Sequence, residues 1–365
     1  MVREQKMRII KSAFLATTIL SAGVTSASAE VNVMASIKPI HSLVSAVMDG
    51  AGTPSLIIEG AGSPHNYALK PSQAAALQDA DLVFWVGHDL EAFLEKAIDS
   101  VALNARSIAL SDAHGLTKIK FREGGSFDAH GHDEHNEHDE HDDHDDHDDH
   151  DKHDDHDKHD DHDKHDDHDD HDKHDDHDKH DDHDKHDDHG HEGYDPHVWL
   201  DPENAKALIH EIEEALVAAD PENTATYERN AEAMMRKLDA LITEIDAELE
   251  PVKGKGYVVF HDAYQYFERR FGVSAVGSIT VSPEILPGAK RVSELQEKVK
   301  SLDATCVFSE PQFEPKLVTT ITENTTARTG VLDPLGASME SGPGLYFTLI
   351  RTMAHSLKDC LLGKS

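Results

Sequence analysis

The chain has 365 residues, a net charge of −38 at pH 7, and 30 histidines against two cysteines. That length leaves room for two domains, and so acidic a surface excludes nucleic acid and anionic lipid as partners. Neither cysteine belongs to a CxxC pair, which excludes a zinc site built from cysteines.

The first residues read as a targeting segment. Arg3, Lys6, Arg8 and Lys11 are basic, the run from Ala13 to Val24 is apolar, and Ala27-Ser28-Ala29 has the small residues a signal peptidase accepts. A signal peptide over residues 1–29 is expected, cut after Ala29. The apolar run is too short to anchor the chain in a bilayer, and no later segment is apolar enough to cross one. The mature protein is therefore expected to be exported, soluble and without an anchor.

From there strands and helices alternate. Val31–Ile37 reads as a strand and Pro39–Asp49 as a helix with its proline in the first turn. Ser55–Glu59, Leu82–Gly87 and Ser107–Leu110 read as further strands. Ser72–Asp79, capped by Ser72, and Leu90–Ile98 are the intervening helices. Such alternation implies a parallel sheet with right-handed crossovers.

A histidine then falls at every third position from His132 to His189, with spacers that are mostly Asp-Asp and Asp-Lys. Residues 128–192 hold 22 of the 30 histidines. With almost no apolar side chain, this insert cannot bury enough surface to offset the entropy of ordering, so an exposed, disordered segment is expected. Its imidazoles and carboxylates suit borderline divalent metals such as Zn²⁺, Cu²⁺ and Ni²⁺. A tight site needs fixed geometry, so the tract is expected to be a weak, multivalent outer store rather than the main site.

Beyond the tract, Pro202–Ala219 reads as a helix capped by Asp201, and Asp220-Pro221 opens another. That second helix carries Tyr227, Ala231, Met234, Leu238, Leu241, Ile245 and Leu249 at spacings of three and four. Roughly 30 residues make about 45 Å, long enough for a strut along both halves. The alternation then resumes. Strands are expected at Tyr257–His261, Ser274–Ile279, Cys306–Glu310 and Gly330–Asp333, and helices at Ala263–Phe271, Ala289–Ser301, Pro315–Asn324 and Gly344–Cys360. The expected fold is α/β with two lobes, each a mostly parallel four-stranded sheet flanked by helices. Residues 30–127 and 193–220 form the first lobe, residues 221–250 a long rigid linking helix, and residues 251–365 the second lobe.

Three histidines outside the tract sit where strands end or loops turn. His65 lies in the loop after the second strand, His197 just before a helix, and His261 at the end of a strand. Ligands of open parallel sheets bind beyond the carboxyl ends of strands, and Asp333 lies at the equivalent edge of the second lobe. Three imidazoles plus one carboxylate or water make a tetrahedral site suited to Zn²⁺, whereas Mn²⁺ calls for more oxygen ligands. The same set describes a catalytic zinc, although no metallopeptidase motif accompanies it. His41, His88, His210, His114 and His355 show no ligand pattern, and Trp85 and Trp199 read as core or cleft wall. Cys306 and Cys360 are either a disulfide closing a loop of about 54 residues, worth about 4 kcal/mol in the chain-entropy model, or two buried thiols.

Specific stretches add a resemblance. They are Ser63-Pro64-His65-Asn66-Tyr67 with Lys70-Pro71-Ser72, Ala80 to Gly87, His197-Val198-Trp199-Leu200, Gly254 to Tyr264, Pro283-Glu284-Ile285, Ala304 to Phe313, and Leu332-Asp333-Pro334-Leu335-Gly336. On these the chain from Val31 onward resembles the cluster A-1 family of periplasmic binding proteins of ABC importers, and within it the zinc-uptake members. The resemblance implies a non-enzymatic, monomeric carrier of Zn²⁺ with a membrane permease as partner. It also implies His65, His197 and His261 as ligands, Asp333 at the position of a carboxylate ligand in manganese-binding relatives, and a Cys306–Cys360 disulfide. Some zinc members place Glu before the first histidine; Pro64 stands there instead, leaving Asp333 or water as the fourth ligand, with Asp333 favoured.

Overall fold

The computed structural model describes residues 31–122, 127, 193–280, 288–302 and 304–364. The expected signal peptide, the His/Asp-rich insert and Pro283-Glu284-Ile285 lie outside the described residues.

Four short strands, β1 (Val33–Ala35), β2 (Ser55–Leu56), β3 (Leu82–Trp85) and β4 (Arg106–Ala109), form one sheet in the order β2-β1-β3-β4. Strands β5 (Tyr257–His261), β6 (Ala275–Thr280), β7 (Cys306–Ser309) and β8 (Arg328–Val331) form a second in the equivalent order β6-β5-β7-β8. Every named pairing is parallel. Parallel neighbours need long crossovers. These are supplied by α1 (Lys38–Val47), α2 (Pro71–Gln78) and α3 (His88–Val101) in the first half, and by α6 (Gln265–Phe271), α7 (Ala289–Ser301) and α8 (Pro315–Thr322) in the second. The strand order places a topological switch point between β1 and β3 and another between β5 and β7, where ligands bind in such sheets.

Between the sheets run α4 (Pro202–Ala219) and α5 (Thr224–Leu249), and α9 (Leu345–Leu362) closes the chain. The periodic residues of α5, from Tyr227 to Leu249, are all buried. Helix α9 packs on α1 and α5, so the halves are joined by two long helices rather than by the strut alone. Helix α1 is buried on every side. One continuous set of buried apolar side chains runs from the first sheet through α1, α4, α5 and α9 to Tyr257, Val259, Cys306 and Phe308 of the second. The alternate residues Val258, Phe260 and Val307 face a smaller cluster with Leu295, Val299, Val318 and Ile321, as the two-residue side-chain period of a strand requires.

Several local expectations shift for identifiable reasons. Helix α2 starts at Pro71, and the Lys70 N–H is satisfied by Gln73 Oε1 at 2.8 Å, so Ser72 is not the cap. The residues after Asp220 form a one-turn 3₁₀ helix, Pro221–Asn223, before α5. There Asp220 Oδ2 accepts from Asn223 Nδ2 and the Tyr227 hydroxyl, both at 2.7 Å. Asp201 does cap α4, accepting from the Glu203 N–H at 2.9 Å. At the end of β3, Gly87 has φ +146°, and a Cβ there would meet Ser111 Oγ at 2.6 Å. The turn it permits lets Glu91 Oε2 accept from the N–H groups of Val86 and Gly87 at 2.8 and 3.0 Å.

Cys306 and Cys360 form a disulfide with Cα atoms 6.2 Å apart, fastening β7 to the last turn of α9. Among the described residues no helix is long and apolar enough to cross a membrane.

Candidate metal centre

Three chain segments bring three imidazoles together. His261 is the last residue of β5, and Glu310 follows β7, the neighbouring strand, at the same edge. Glu310 Oε1 lies 2.6 Å from His261 Nδ1. His197 precedes the 3₁₀ turn Val198–Leu200, and Asp195 Oδ1 accepts from its backbone N–H at 2.9 Å and bonds its Nδ1 at 2.7 Å. His65 stands in the loop between β2 and α2, where Ser63 Oγ accepts from its backbone N–H at 3.4 Å. The ligand atoms of His65, His197 and His261 all lie within 4.8 Å of one another. Of the four ligand candidates, the structure brings together these three.

The hydrogen bonds settle the ring orientation. At His197 and His261 a carboxylate on Nδ1 holds the proton there and turns Nε2, with its lone pair, toward the centre. His197 Nε2 and His261 Nε2 then face each other at 3.4 Å. Two lone pairs this close repel unless a cation sits between them. Burial, followed by the neighbouring His197 and His261, drives the His65 pKa well below its ordinary value, keeping that ring neutral. Burial also lowers the His261 pKa, but Glu310 and then Asp195 and Asp262 outweigh it and leave the value raised. Asp195, fully enclosed, is pushed by burial to about 7 despite the His197 N–H; a divalent cation nearby would favour its ionised form.

Asp333 is not part of this cluster. Its Oδ1 accepts from the N–H groups of Leu335 and Gly336 at 3.1 and 2.9 Å and from Gln312 Nε2 at 3.0 Å, and its Oδ2 from the Ala337 N–H at 2.7 Å. The carbonyls of the same turn receive Lys38 Nζ: Gly336 at 3.1 Å, Ala337 and Met339 at 2.8 Å. Asp333 and Lys38 both bind this turn, so the carboxylate is committed to its backbone N–H groups and to Gln312.

The space between the rings is small. A cavity of about 10 Å³, lined by the three histidines with Glu310, Gln312, Phe313 and Leu335, holds one water-sized sphere. A larger cleft of about 310 Å³ is lined by residues that include Gly87, Ser111, Tyr194 and Asp195.

A family model described as "Zinc-uptake complex component A periplasmic", ZnuA, matches residues 33–360. The chain belongs to the ZnuA family. A "High-affinity zinc uptake system protein ZnuA" of Brucella abortus (strain 2308) is 54% identical over 97% of this chain and 99% of its own. One of the same description from Yersinia pestis is 33% identical over 98% and 99%. A crystal structure of ZnuA shares the fold, with a TM-score of 0.63 at 21% identity over 90% of this chain and 100% of that one.

In this ZnuA-family chain four of the other described histidines have ordinary partners. His41 is buried, with Nε2 3.0 Å from the Pro54 carbonyl, and His88 pairs with Glu95 at 2.7 Å. His210 is exposed beside Glu213 and Glu214, and His355 beside Glu248 and Asp359. Trp199 packs against His197, with ring centroids 5.2 Å apart, and donates to the Pro334 carbonyl at 2.9 Å. Sequence reasoning did not single out Asp195, Glu310, Gln312 or Arg122. Arg122 binds Asp262, beside His261, through Nε at 3.0 Å and reaches Glu268 through Nη1 at 2.7 Å. Two acids carried a usable signal: Glu310 comes directly after a strand whose neighbour ends in His261, and Asp195 stands two residues before a candidate ligand.

Proposed function

We propose that this protein captures Zn²⁺ with high affinity in the periplasm and delivers it to the membrane permease of an ABC zinc importer. Membership of the ZnuA family and the description shared by its relatives support the zinc-uptake role. The observation that carries the reading at the level of residues is the convergence of the His65, His197 and His261 ligand atoms within 4.8 Å. We assign these three as the zinc ligands, with Asp195 and Glu310 orienting His197 and His261. Three neutral imidazoles favour Zn²⁺ over harder ions. No covalent chemistry is required: the protein binds and releases its cargo.

The linking helices α5 and α9 bear on release. With a core shared between the halves, wide opening is costly, and exchange proceeds by small shifts around the His65 loop. Affinity falls in acid, because metal must displace protons from the imidazoles. As part of this reading we propose residues 128–192 as an outer store and residues 221–250 as the link between residues 30–127 with 193–220 and residues 251–365.

Competitive zinc titration of the mature chain lacking residues 128–192, and of its His65→Ala, His197→Ala and His261→Ala variants, tests the assignment. Each substitution should weaken binding by about 100-fold or more, beyond what loss of an outer partner costs. Unchanged affinity in any of the three would remove that residue from the site, and tight binding lost with the tract alone would overturn the reading.

A further inference from the structure

Lys38 is the first residue of α1 and only 8% exposed. A positive charge there opposes the helix dipole, and a buried ammonium needs all three of its protons placed. They go to three backbone carbonyls of the other half of the molecule: Gly336 at 3.1 Å, and Ala337 and Met339 at 2.8 Å. The peptide group joining Gly336 to Ala337 accepts from Lys38 through its carbonyl and donates its N–H to Asp333 Oδ2 at 2.7 Å. A trans peptide points those two groups in opposite directions, so the ammonium and the carboxylate hold this peptide between them. The turn so held is a wall of the metal cavity. Pro334 and Leu335 line that cavity with His65, His197 and His261. The Pro334 carbonyl is fixed by Trp199 Nε1 at 2.9 Å, and the Trp199 ring lies against His197. Lys38 is not among the residues that line the cavity, so it can act there only through the turn.

We propose that Lys38 is a positioning residue of the zinc site, which sets how long the metal stays by holding Pro334 and Leu335 against the imidazoles. This deepens the zinc-binding reading above and rests on it. An imidazole that lets go of zinc must be replaced by an incoming donor, and an apolar wall around a space of about 10 Å³ leaves such a donor little room. The wall belongs to the second half of the molecule, whereas His65, His197 and Lys38 belong to the first. Admitting a donor therefore means moving the turn, and moving the turn means breaking charge-assisted hydrogen bonds from the ammonium. Without the ammonium the wall opens more often, and zinc both leaves and enters faster. The three ligands are untouched, so the affinity, which is the ratio of the two rates, moves little. Loss of a ligand has the opposite signature: affinity itself collapses.

The experiment loads the full-length mature protein with half an equivalent of zinc, so that the tightest site fills first, and times its release to a large excess of a chromogenic chelator. Lys38→Met keeps the length of the side chain and removes its donors. It should release zinc about tenfold faster or more, as loss of hydrogen bonds to a charged group implies, while the affinity from competitive titration changes by less than about threefold, far below the cost of losing a ligand. Lys38→Gln, which keeps two donors on a shorter stem, should fall between parent and Met variant. Leu335→Ala thins the wall without touching the ammonium and should also speed release; combined with Lys38→Met it should add little, because both act on the same wall. Should the Met variant fail to fold, the Gln variant alone and combined with Leu335→Ala makes the same test. Release within about twofold of the parent in a folded Lys38 variant, even one less stable to urea, overturns the proposal. So does an affinity that falls in step with the faster release, or rate effects of Lys38 and Leu335 that multiply in full. A parent that does not bind zinc tightly removes the underlying function reading instead.

Discussion

His197 Nε2 and His261 Nε2 lie 3.4 Å apart across 64 residues of sequence, each ring held from behind by a carboxylate. Those carboxylates do two things: they place the proton on Nδ1 and they make the opposite nitrogen a better donor to metal. Asp195→Asn and Glu310→Gln should each weaken zinc binding by about 10–100-fold while leaving all three ligands in place. Competitive titration with a chelating dye measures this, and zinc dissociation should be correspondingly faster. Affinity within a factor of two of the parent would show that the two acids are only packed beside the rings.

Glu91 gives a pH dependence of stability. Burial raises its pKa to about 7, and the Val86 and Gly87 N–H groups offset this only in part. The folded chain therefore holds this proton more tightly than the unfolded chain, whose value is near 4.5. For an acid with a raised folded pKa, stability falls as pH climbs from about 4.5 to 7, and the loss is complete above that. Glu91→Gln keeps an acceptor for the two N–H groups and has nothing to ionise. Compared with the parent, it should be more stable at pH 8 by up to about 3 kcal/mol, with the gain vanishing near pH 4. Urea melts at the two pH values decide it; an equal difference at both would exclude Glu91 as the cause.

Arg122 should be costly to remove. It is the partner of two acids, Asp262 and Glu268, whose side chains are 4% and 5% exposed. Arg122→Ala strands both charges away from water and should destabilise by about 3 kcal/mol or more. The double change of Asp262→Asn and Glu268→Gln in the same background should recover part of that loss. Without such recovery, the guanidinium would matter for its packing on the Phe127 ring, 4.0 Å away, rather than for its charge.

Reduction of the Cys306–Cys360 bond, or Cys360→Ser with Cys306→Ser, should lower stability by about 4 kcal/mol by freeing a 54-residue loop in the unfolded chain. Chemical denaturation with and without a thiol reductant tests this. A shift below about 1 kcal/mol would mean that β7 and α9 are held by the surrounding apolar contacts alone.

Most of the architecture is legible in the sequence because burial writes it there. The spacing of Tyr227 through Leu249 can bury only one face of a helix, and Tyr257–His261 is a strand with both faces covered. Ends are less legible, since they depend on partners far along the chain. Gln73 rather than Ser72 satisfies the start of α2, and β8 stops before Asp333 because that carboxylate turns to cap residues 335–337. The site divides the same way. His65, His197 and His261 stand out by residue type and position at strand and loop ends. The role of Asp333 depends on Lys38, almost 300 residues earlier, whose ammonium grips the same turn. No local pattern announces that pairing.

The apolar interior that passes from the first sheet through α1, α4, α5 and α9 into the second leaves neither half with a complete core of its own. Splitting the gene between the sheets would thus yield two fragments that each expose the surface meant for the other. Heating the intact protein should give one cooperative calorimetric transition, its van 't Hoff and measured enthalpies agreeing, with metal moving the whole peak upward instead of separating a fragile half from a robust one.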